Sequence, residues 1–333
     1  MVTQTPVQRK LIANTLKGYA LKVLFSSLDL IGNQLLLQKG WRCNEQPYFE
    51  AAYGPHDKNH INIFRPPGEP SQRFPVLIYF HGGGFIVGDK NGYNAICRTL
   101  SNYGYVTFNV NYRLAPKYRY IAQMQDVANA IAWIYRNAGD YGGDRQRIIL
   151  AGDSAGALHA SWYASALERI NLFKHVGVKQ TIPRSTLKGL LLFYGLYDFT
   201  IVTETGFPFI TTFVYNFLSE NPEQPFADAA RLLSPIRHVT HTLPPAFLCV
   251  GEKDSLCQQS KQYARALENA GVKTTTVYLS ESLYPDASHG FLYFANRRCT
   301  RRAFQEAARF LGEVTSPTKA TSVQRSSGKR SNS

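Results

Sequence analysis

The chain has 333 residues, of which 44% are hydrophobic and 18% are charged, and its formal net charge is +14. This balance is typical of a folded protein and excludes an intrinsically disordered chain. No uninterrupted apolar stretch reaches the roughly 18–20 residues that a membrane-spanning helix requires.

The excess of positive charge is concentrated at the two ends of the chain. Eight basic residues lie in the first 28 and the last 20 residues, and neither stretch contains an acidic residue. The rest of the excess is ordinary for a domain of this size, and no nucleic-acid-binding motif accompanies it. We therefore predict no nucleic-acid partner, while contact of the basic N-terminus with a membrane surface stays open.

The cysteine pattern argues against a disulfide framework or a metal site. The five cysteines are odd in number and show no CxxC or Cys/His ligand spacing. We predict a reduced, cytoplasmic protein. The N-terminus lacks the pattern of a secretory signal peptide, although a mitochondrial presequence would be similarly basic and poor in acids. The cysteines are Cys43, Cys97, Cys249, Cys257 and Cys299.

The N-terminal segment differs in pattern from the rest of the chain. Residues 5–38 place apolar side chains at helical spacing and predict one or two amphipathic helices. We expect residues 1–44 to form helices that lie over an active site in the domain that follows. At the other end, residues 313–333 are basic and almost without apolar side chains, and we predict that this tail is disordered.

After Asn44, short apolar segments alternate with amphipathic ones. Apolar strands that alternate with helices indicate right-handed βαβ units and a mostly parallel sheet, the α/β class of fold. The predicted strands are Ile61–Phe64, Val76–Phe80, Val106–Val110, Arg147–Ala151, Gly189–Tyr194, Ala246–Gly251 and Thr274–Leu279. The predicted helices are Ile121–Asn137, one that begins after Ser154 and ends near Arg169, Gln258–Ala270 and Arg298–Leu311.

Ser154 is the strongest candidate for a chemical role. It lies in the GxSxG sequence Gly152–Gly156, between an apolar strand and a helix. The glycines permit a sharp turn that lifts the serine oxygen clear of the sheet at a helix N-terminus, the known nucleophile elbow of serine hydrolases. We predict that Ser154 is a nucleophile.

A glycine-rich loop precedes this elbow in the chain. His81-Gly82-Gly83-Gly84-Phe85 follows the second predicted strand, and three consecutive glycines let the backbone turn its N–H groups outward. Preorganised N–H donors of this kind stabilise the oxyanion of a tetrahedral intermediate. We interpret His81 as a structural residue that fixes the loop by hydrogen bonding.

A serine nucleophile requires a base, and the base requires an acid that orients it. For a fold with this nucleophile elbow, the order expected along the chain is serine, acid, histidine. Among the later histidines, only His289 lies in a short loop between a late strand and the last helix. Asp254 follows the strand Ala246–Gly251 and is the best-placed acid. The competing acids are Asp198, Glu252 and Asp286, and the competing histidines are His159, His175, His238 and His241.

Together these segments resemble the hormone-sensitive-lipase-like family of α/β-hydrolase-fold esterases over about residues 60–312. The resemblance is carried by His81–Gly84, Tyr112–Pro116, Gly152–Gly156, Gly251–Leu256 and His289–Phe291. It implies a mostly parallel central sheet flanked by helices, and ester hydrolysis without a cofactor.

By the same resemblance, Ser154, Asp254 and His289 form a catalytic triad. The N–H groups of Gly83, Gly84 and Ala155 form the oxyanion hole in this family pattern. The catalytic domain would span residues 45–312, and a helical cap would be assembled from the N-terminal helices and an insertion at about residues 199–232.

The chain departs from the family pattern at four places. Ala157 stands where another glycine usually follows the elbow. Asn111 and Lys117 replace an aspartate and a glutamate beside the Tyr112–Pro116 segment, which raises the question of local ion pairing. The approach to His289, residues 281–287, is longer than usual, so the pocket rim should be specific to this chain.

The aromatic side chains of the insertion, among them Phe207, Phe209 and Phe213, predict an apolar pocket. We predict a serine hydrolase that cleaves a small hydrophobic ester or lactone through an acyl-enzyme. Acyl transfer, lactone formation and amide or formamide hydrolysis use the same triad and stay open as alternatives. A ligand-binding protein without turnover is a further alternative, and the sequence does not indicate an oligomeric state.

Overall fold

The computed structural model describes residues 13–24, 48–179, 181–218 and 226–316. Residues 13–24 are helical (α1), as the amphipathic pattern predicts, and the rest of the segment 1–44 lies outside the described residues. Most of the predicted basic tail, residues 317–333, also lies outside them. None of the helices in the described ranges is long and apolar enough to cross a membrane.

Within the described residues, eight strands form one sheet in the order β1-β2-β4-β3-β5-β6-β7-β8. The pairs β1–β2 and β2–β4 are antiparallel, and all other neighbours are parallel. The mostly parallel α/β sheet of the sequence prediction is confirmed. The strands are β1 Phe49–Ala52, β2 His60–Phe64, β3 Phe74–Phe80, β4 Val106–Val110, β5 Gly143–Asp153, β6 Leu187–Phe193, β7 Ala246–Gly251 and β8 Thr274–Leu279.

Helices cover both faces of the sheet because successive strand side chains point to opposite faces. On β3, Ile78 packs into the apolar core shared with α3 and α4, whereas its neighbours Leu77 and Tyr79 pack with α2 and α9. The helices are α2 Asn94–Asn102, α3 Tyr120–Asn137, α4 Ala155–Glu168, α5 Ile170–His175, α6 Ile210–Leu218, α7 Phe226–Leu233, α8 Cys257–Asn269 and α9 Arg298–Thr315.

The last helix extends beyond its predicted end at Leu311 and continues to Thr315. The Thr315 hydroxyl donates to the Leu311 carbonyl at 2.8 Å and bonds the Tyr105 hydroxyl at 2.7 Å. The helix therefore includes residues 313–315, the first three residues of the segment that we predicted as a tail.

The insertion, residues 199–232, contains α6 and most of α7 and lies against α1. Gly18 of α1 faces Asn216 of α6 so closely that an added Cβ would lie 2.6 Å from the Asn216 side chain. Asn216 Nδ2 donates to the Asn14 carbonyl at 3.0 Å, and Lys22 Nζ donates to the Ala115 carbonyl at 3.2 Å. These contacts join α1 to the insertion on one side and to the Tyr112–Pro116 segment on the other.

The parallel strands place their carboxyl ends at one edge of the sheet. Phe80 lies beside Gly152, and Phe193 lies beside both Asp153 and Cys249. The loops after β3, β5, β7 and β8 therefore open at the same edge, the usual position of ligand sites in such sheets.

Candidate active site

Ser154 occupies a sharp turn between β5 and α4 and has φ 51° and ψ −117°, a backbone conformation that L-residues rarely adopt. The flanking glycines allow this turn. A Cβ on Gly156 would lie 1.9 Å from the Phe80 carbonyl oxygen, and one on Gly152 would lie 2.5 Å from the carbonyl carbon of Gly156. Only glycine fits at these two positions, which explains the spacing of the motif.

A hydrogen-bonded chain joins the serine, the histidine and the aspartate predicted from the sequence. His289 Nε2 lies 2.9 Å from Ser154 Oγ, and His289 Nδ1 lies 2.8 Å from Asp254 Oδ2. The Asp254 side chain is fully buried, and its other oxygen accepts the Leu256 N–H at 2.8 Å. Because the carboxylate accepts, Nδ1 carries the proton and Nε2 faces the serine hydroxyl as an acceptor.

The loops that carry Asp254 and His289 approach each other closely. A Cβ on Gly251, at the end of β7, would lie 1.7 Å from the Ala287 carbonyl oxygen. This glycine therefore lets the segment before His289 cross directly over the end of β7, and the longer approach at residues 281–287 ends in that contact.

The glycine-rich loop lies on the other side of Ser154. Gly83 has φ 120° and Gly84 has φ 57°, and a Cβ on Gly83 would lie 2.1 Å from the Val87 carbonyl oxygen. The Gly83 carbonyl accepts the N–H groups of Ile86 and Val87. Among the described residues, the N–H groups of Gly83 and Gly84 donate to no protein acceptor. Both glycines line one cavity with Ser154 and Ala155.

Side chains and backbone groups that are distant in sequence hold this loop in place. The Tyr112 hydroxyl donates to the His81 carbonyl at 2.7 Å, and the Ala115 N–H donates to the Phe85 carbonyl at 2.9 Å. Gln123 Nε2 also donates to the Phe85 carbonyl, at 3.0 Å. Sequence reasoning missed Gln123, which lies on α3 with nothing in its neighbourhood to single it out.

His81 has the structural position predicted for it. The ring is fully buried, and its Nδ1 bonds the Gly82 carbonyl oxygen at 2.7 Å. Burial lowers the pKa of this histidine, so the ring is neutral and donates its Nδ1 proton to that carbonyl. Tyr112 stacks on the ring with centroids 4.3 Å apart.

Asp153 joins the elbow to the glycine-rich loop, a role that the sequence did not suggest. Its Oδ1 accepts the Gly82 N–H and the Tyr79 hydroxyl, each at 3.0 Å. Burial raises the pKa of this carboxyl from 3.8 to about 6, against the opposing effect of the hydrogen bond from the Tyr79 hydroxyl. At neutral pH it remains an ionised acceptor for both donors.

The competing acids have other partners. Asp198 Oδ1 accepts the Thr200 N–H at 2.8 Å and the Thr200 hydroxyl at 2.6 Å, which fixes the start of the insertion. Glu252 accepts the Glu281 N–H at 3.3 Å. Asp286 lies 3.6 Å from Arg297. The structure brings only Asp254, of these four acids, to the His289 ring.

The competing histidines lie away from Ser154 Oγ. His159 is fully buried on α4 beside the rings of Tyr112 and Phe85, and burial lowers its pKa to about 3. His175 bonds the Tyr120 hydroxyl at 3.1 Å, His238 lies 2.9 Å from the Leu232 carbonyl oxygen, and His241 is exposed.

The cavity beside Ser154 has a volume of about 550 Å³ and is mainly apolar. The insertion contributes five apolar side chains to its wall, and the loops after β3, β6 and β7 complete it together with residues 288–294. Phe213 of α6 packs directly on Gly84, where an added Cβ would lie 2.7 Å from its ring. The apolar lining residues include Val87, Leu196, Phe207, Pro208, Phe209, Ile210, Phe213, Leu256, Tyr293 and Phe294.

The departures from the family pattern fit their surroundings. Asn111 Nδ2 donates to Asp89 at 3.2 Å, a position where an aspartate would repel the neighbouring carboxylate. The nearby ion pair of Arg113 and Asp126 is intact at 2.8 Å. Lys117 lies over the Tyr118 ring, with its nitrogen 5.2 Å from the ring centroid.

Comparison with known proteins places this architecture in a family. Residues 77–293 match the family model of the alpha/beta hydrolase fold. The chain belongs to this family, and its resemblance to the hormone-sensitive-lipase-like esterases is confirmed.

Two curated relatives are from Mycobacterium tuberculosis. The chain is 32% identical to esterase LipQ over 80% of its own length and 62% of the relative. It is 28% identical to the probable carboxylic ester hydrolase LipM over 80% of its length and 61% of that relative. The chain thus spans about three fifths of the length of these relatives.

Solved structures share the fold. Esterase B from Lactobacillus rhamnosis superposes with a TM-score of 0.79 at 21% identity, over 92% of this chain and 96% of that one. An esterase from Pyrobaculum calidifontis gives a TM-score of 0.71 at 24% identity, over 93% and 99% of the two chains. At these identities the likeness establishes the α/β-hydrolase fold.

Proposed function

We propose that this protein is a serine carboxylic ester hydrolase that forms an acyl-enzyme on Ser154. The observation that carries the proposal is the chain Ser154–His289–Asp254, with hydrogen bonds of 2.9 and 2.8 Å, at the wall of an apolar cavity. Its curated relatives named as ester hydrolases support the same reaction class.

In this proposal, His289 Nε2 removes the proton of Ser154 as the oxygen attacks the ester carbonyl. Asp254 holds the Nδ1 proton and stabilises the imidazolium that forms. The carbonyl oxygen becomes an oxyanion and accepts the N–H groups of Gly83, Gly84 and Ala155, each donor of this type contributing about 3 kcal/mol to barrier lowering. His289 then gives its proton to the leaving alcohol.

Water then hydrolyses the acyl-enzyme by the same steps. His289 takes a proton from the water molecule as the water oxygen attacks the acyl carbon. The bond between the acyl carbon and Ser154 Oγ breaks, and His289 returns the proton to Ser154. Acyl transfer would differ only in the second nucleophile, an alcohol or amine in place of water.

The apolar cavity supports a hydrophobic ester or lactone as the substrate. Aromatic walls contributed by the insertion favour acyl or alcohol groups with large apolar surfaces over sugars or phosphates. In this scheme the insertion and α1 together act as the cap over the site.

Hydrolysis of p-nitrophenyl esters of increasing acyl length tests the proposal, with Ser154→Ala as the inactive reference. We expect turnover by the wild type that is lost in Ser154→Ala, with the best kcat/KM on apolar acyl groups. Added alcohols or amines in the same assay would divert product if the enzyme transfers acyl groups. A wild type that hydrolyses none of these esters would contradict the proposal.

Contact with a membrane surface is a separate proposal that the exposed apolar residues of α1 support. Leu16, Tyr19 and Leu24 are 64%, 45% and 52% exposed on the side of α1 away from Gly18. Such a face can lie in a lipid interface. Deleting the first 40 residues should then abolish sedimentation with anionic vesicles, and unchanged sedimentation would contradict this role.

A further inference from the structure

Two aromatic rings flank the His289 imidazole. Tyr194, at the end of β6, lies with its ring centroid 4.9 Å from that of His289 and tilted by 62°. Phe207, in the insertion, lies 4.7 Å away at 74°. Tyr194 is fully buried within the core, whereas Phe207 is half-buried and belongs to the insertion. The imidazole therefore contacts one ring that is fixed in the core and one ring that belongs to the insertion.

The local backbone fixes Phe207 in this place. Gly206 has φ 69°, which turns the chain after the short helical turn Val202–Thr205. The Phe207 N–H donates to Thr205 Oγ1 at 3.3 Å, and its carbonyl accepts the Ile210 N–H at 3.1 Å where α6 begins. The ring also packs against the small apolar cluster of Ile86, Val87, Ala115 and Phe213 beside the glycine-rich loop.

The contacts of Phe207 affect how firmly the His289 ring is held in its orientation. Hydrogen bonds to Asp254 and Ser154 act only at the two nitrogens, and the imidazole can still tilt about the axis that joins them. The Phe207 ring, 4.7 Å away and nearly perpendicular to the imidazole, opposes this tilt by contact, and edge-to-face aromatic pairs are individually stabilising. Since a misplacement of about 1 Å can cost a large factor in rate, a lateral wall matters for catalysis.

We propose that Phe207 is a positioning residue for His289, through which the insertion controls the rate of acylation as well as the shape of the pocket. This inference rests on the proposed serine hydrolase function. In this proposal the orientation of His289 depends on the insertion. The insertion lies outside the sheet whose strands lead to Ser154, Asp254 and Tyr194.

The test separates positioning from substrate binding by means of a small substrate. A residue that only lines the pocket affects bulky esters, mainly through KM. A positioning residue lowers kcat for every ester, including p-nitrophenyl acetate, whose acyl group fills little of the cavity. We expect Phe207→Ala to lower kcat about three- to tenfold on both the acetate and the octanoate, as expected for loss of one aromatic pair.

Three further variants refine the measurement. Phe207→Tyr keeps the ring and should restore kcat to within about twofold of the wild type, whereas Phe207→Leu keeps apolar volume and should not. Tyr215→Ala removes an aromatic ring from α6 outside the cavity lining and should keep the wild-type kcat. Thermal melting would reveal whether Phe207→Ala folds. If it does not, the kcat of Phe207→Leu decides between a positioning role and a pocket-lining role.

The rate of inactivation by a small ethyl fluorophosphonate gives a second readout that no acyl pocket influences. It should fall in Phe207→Ala by the same factor as kcat. Wild-type rates with acetate and with the probe in Phe207→Ala would overturn the inference while leaving the proposed function intact. A wild type that neither turns over nor reacts with the probe would overturn both.

Discussion

At the scale of single residues, the choice between the two leading acids yields a direct prediction. Asp254→Asn should lower kcat about 10⁴-fold, because an amide favours the wrong imidazole tautomer. Asp198→Asn is the matched control and should stay within a few-fold of the wild type, since an amide oxygen can still accept from Thr200. Steady-state kinetics on one ester measures both, and a larger loss in Asp198→Asn would contradict the assignment.

The sequence located the proposed nucleophile, base and acid because each lies in a short motif at a strand end. It did not indicate the contacts that hold the loops around them. Asp153 and Gln123 bond Gly82 and Phe85, and Phe207, predicted only as an aromatic side chain of the pocket, also lies against His289. No local pattern distinguishes such contacts, since they exist only after the loops meet at the edge of the sheet.

At the scale of elements, strands β4, β7 and β8 agree with their predicted ends. For β4 and β7 this follows because buried apolar strands bounded by turn residues give strong local signals. Strand β1 and helix α2 were not predicted. Phe49–Ala52 is short and mostly exposed, so it has no alternation of buried and exposed residues. Its place in the sheet depends on pairing with β2.

The position of the glycine-rich loop should depend on the hydrogen bond that the Tyr112 hydroxyl donates to it. Tyr112→Phe leaves the buried His81 carbonyl without its donor, which should cost about 1–3 kcal/mol of unfolding free energy and lower kcat. Tyr53→Phe is the matched control, because its hydroxyl makes a similar 2.7 Å bond to the Asn111 carbonyl outside the loop. Denaturant unfolding should show a loss in both variants, and kcat should fall only in Tyr112→Phe. Equal kcat values in the two variants would argue against this dependence.

At the scale of the whole molecule, the stability of the fold should respond to the Asp153 carboxyl. Its pKa is about 6 in the folded protein and near 3.8 when unfolded. Between these two pKa values the Asp153 carboxyl is more protonated in the folded state than in the unfolded state. Its ionisation therefore lowers the free energy of unfolding as the pH rises from about 4 to 6, by about 3 kcal/mol in total. Above pH 6 the penalty is constant.

Replacing the ionisable group isolates this effect. Asp153→Asn should raise the free energy of unfolding relative to the wild type at pH 7.5, and the gain should shrink towards pH 4. Urea unfolding across this range measures the difference. A gain that does not change with pH would show that ionisation of Asp153 is not its source.

Covalent labelling is the most direct test of whether Ser154 is the activated nucleophile of a serine hydrolase. The full chain would be incubated with a fluorophosphonate probe, and the modified residue would be located by peptide mass spectrometry, with Ser154→Ala in parallel. We expect modification of Ser154 alone and none in the variant. Absence of labelling in the wild type, or equal labelling of Ser154→Ala, would contradict it.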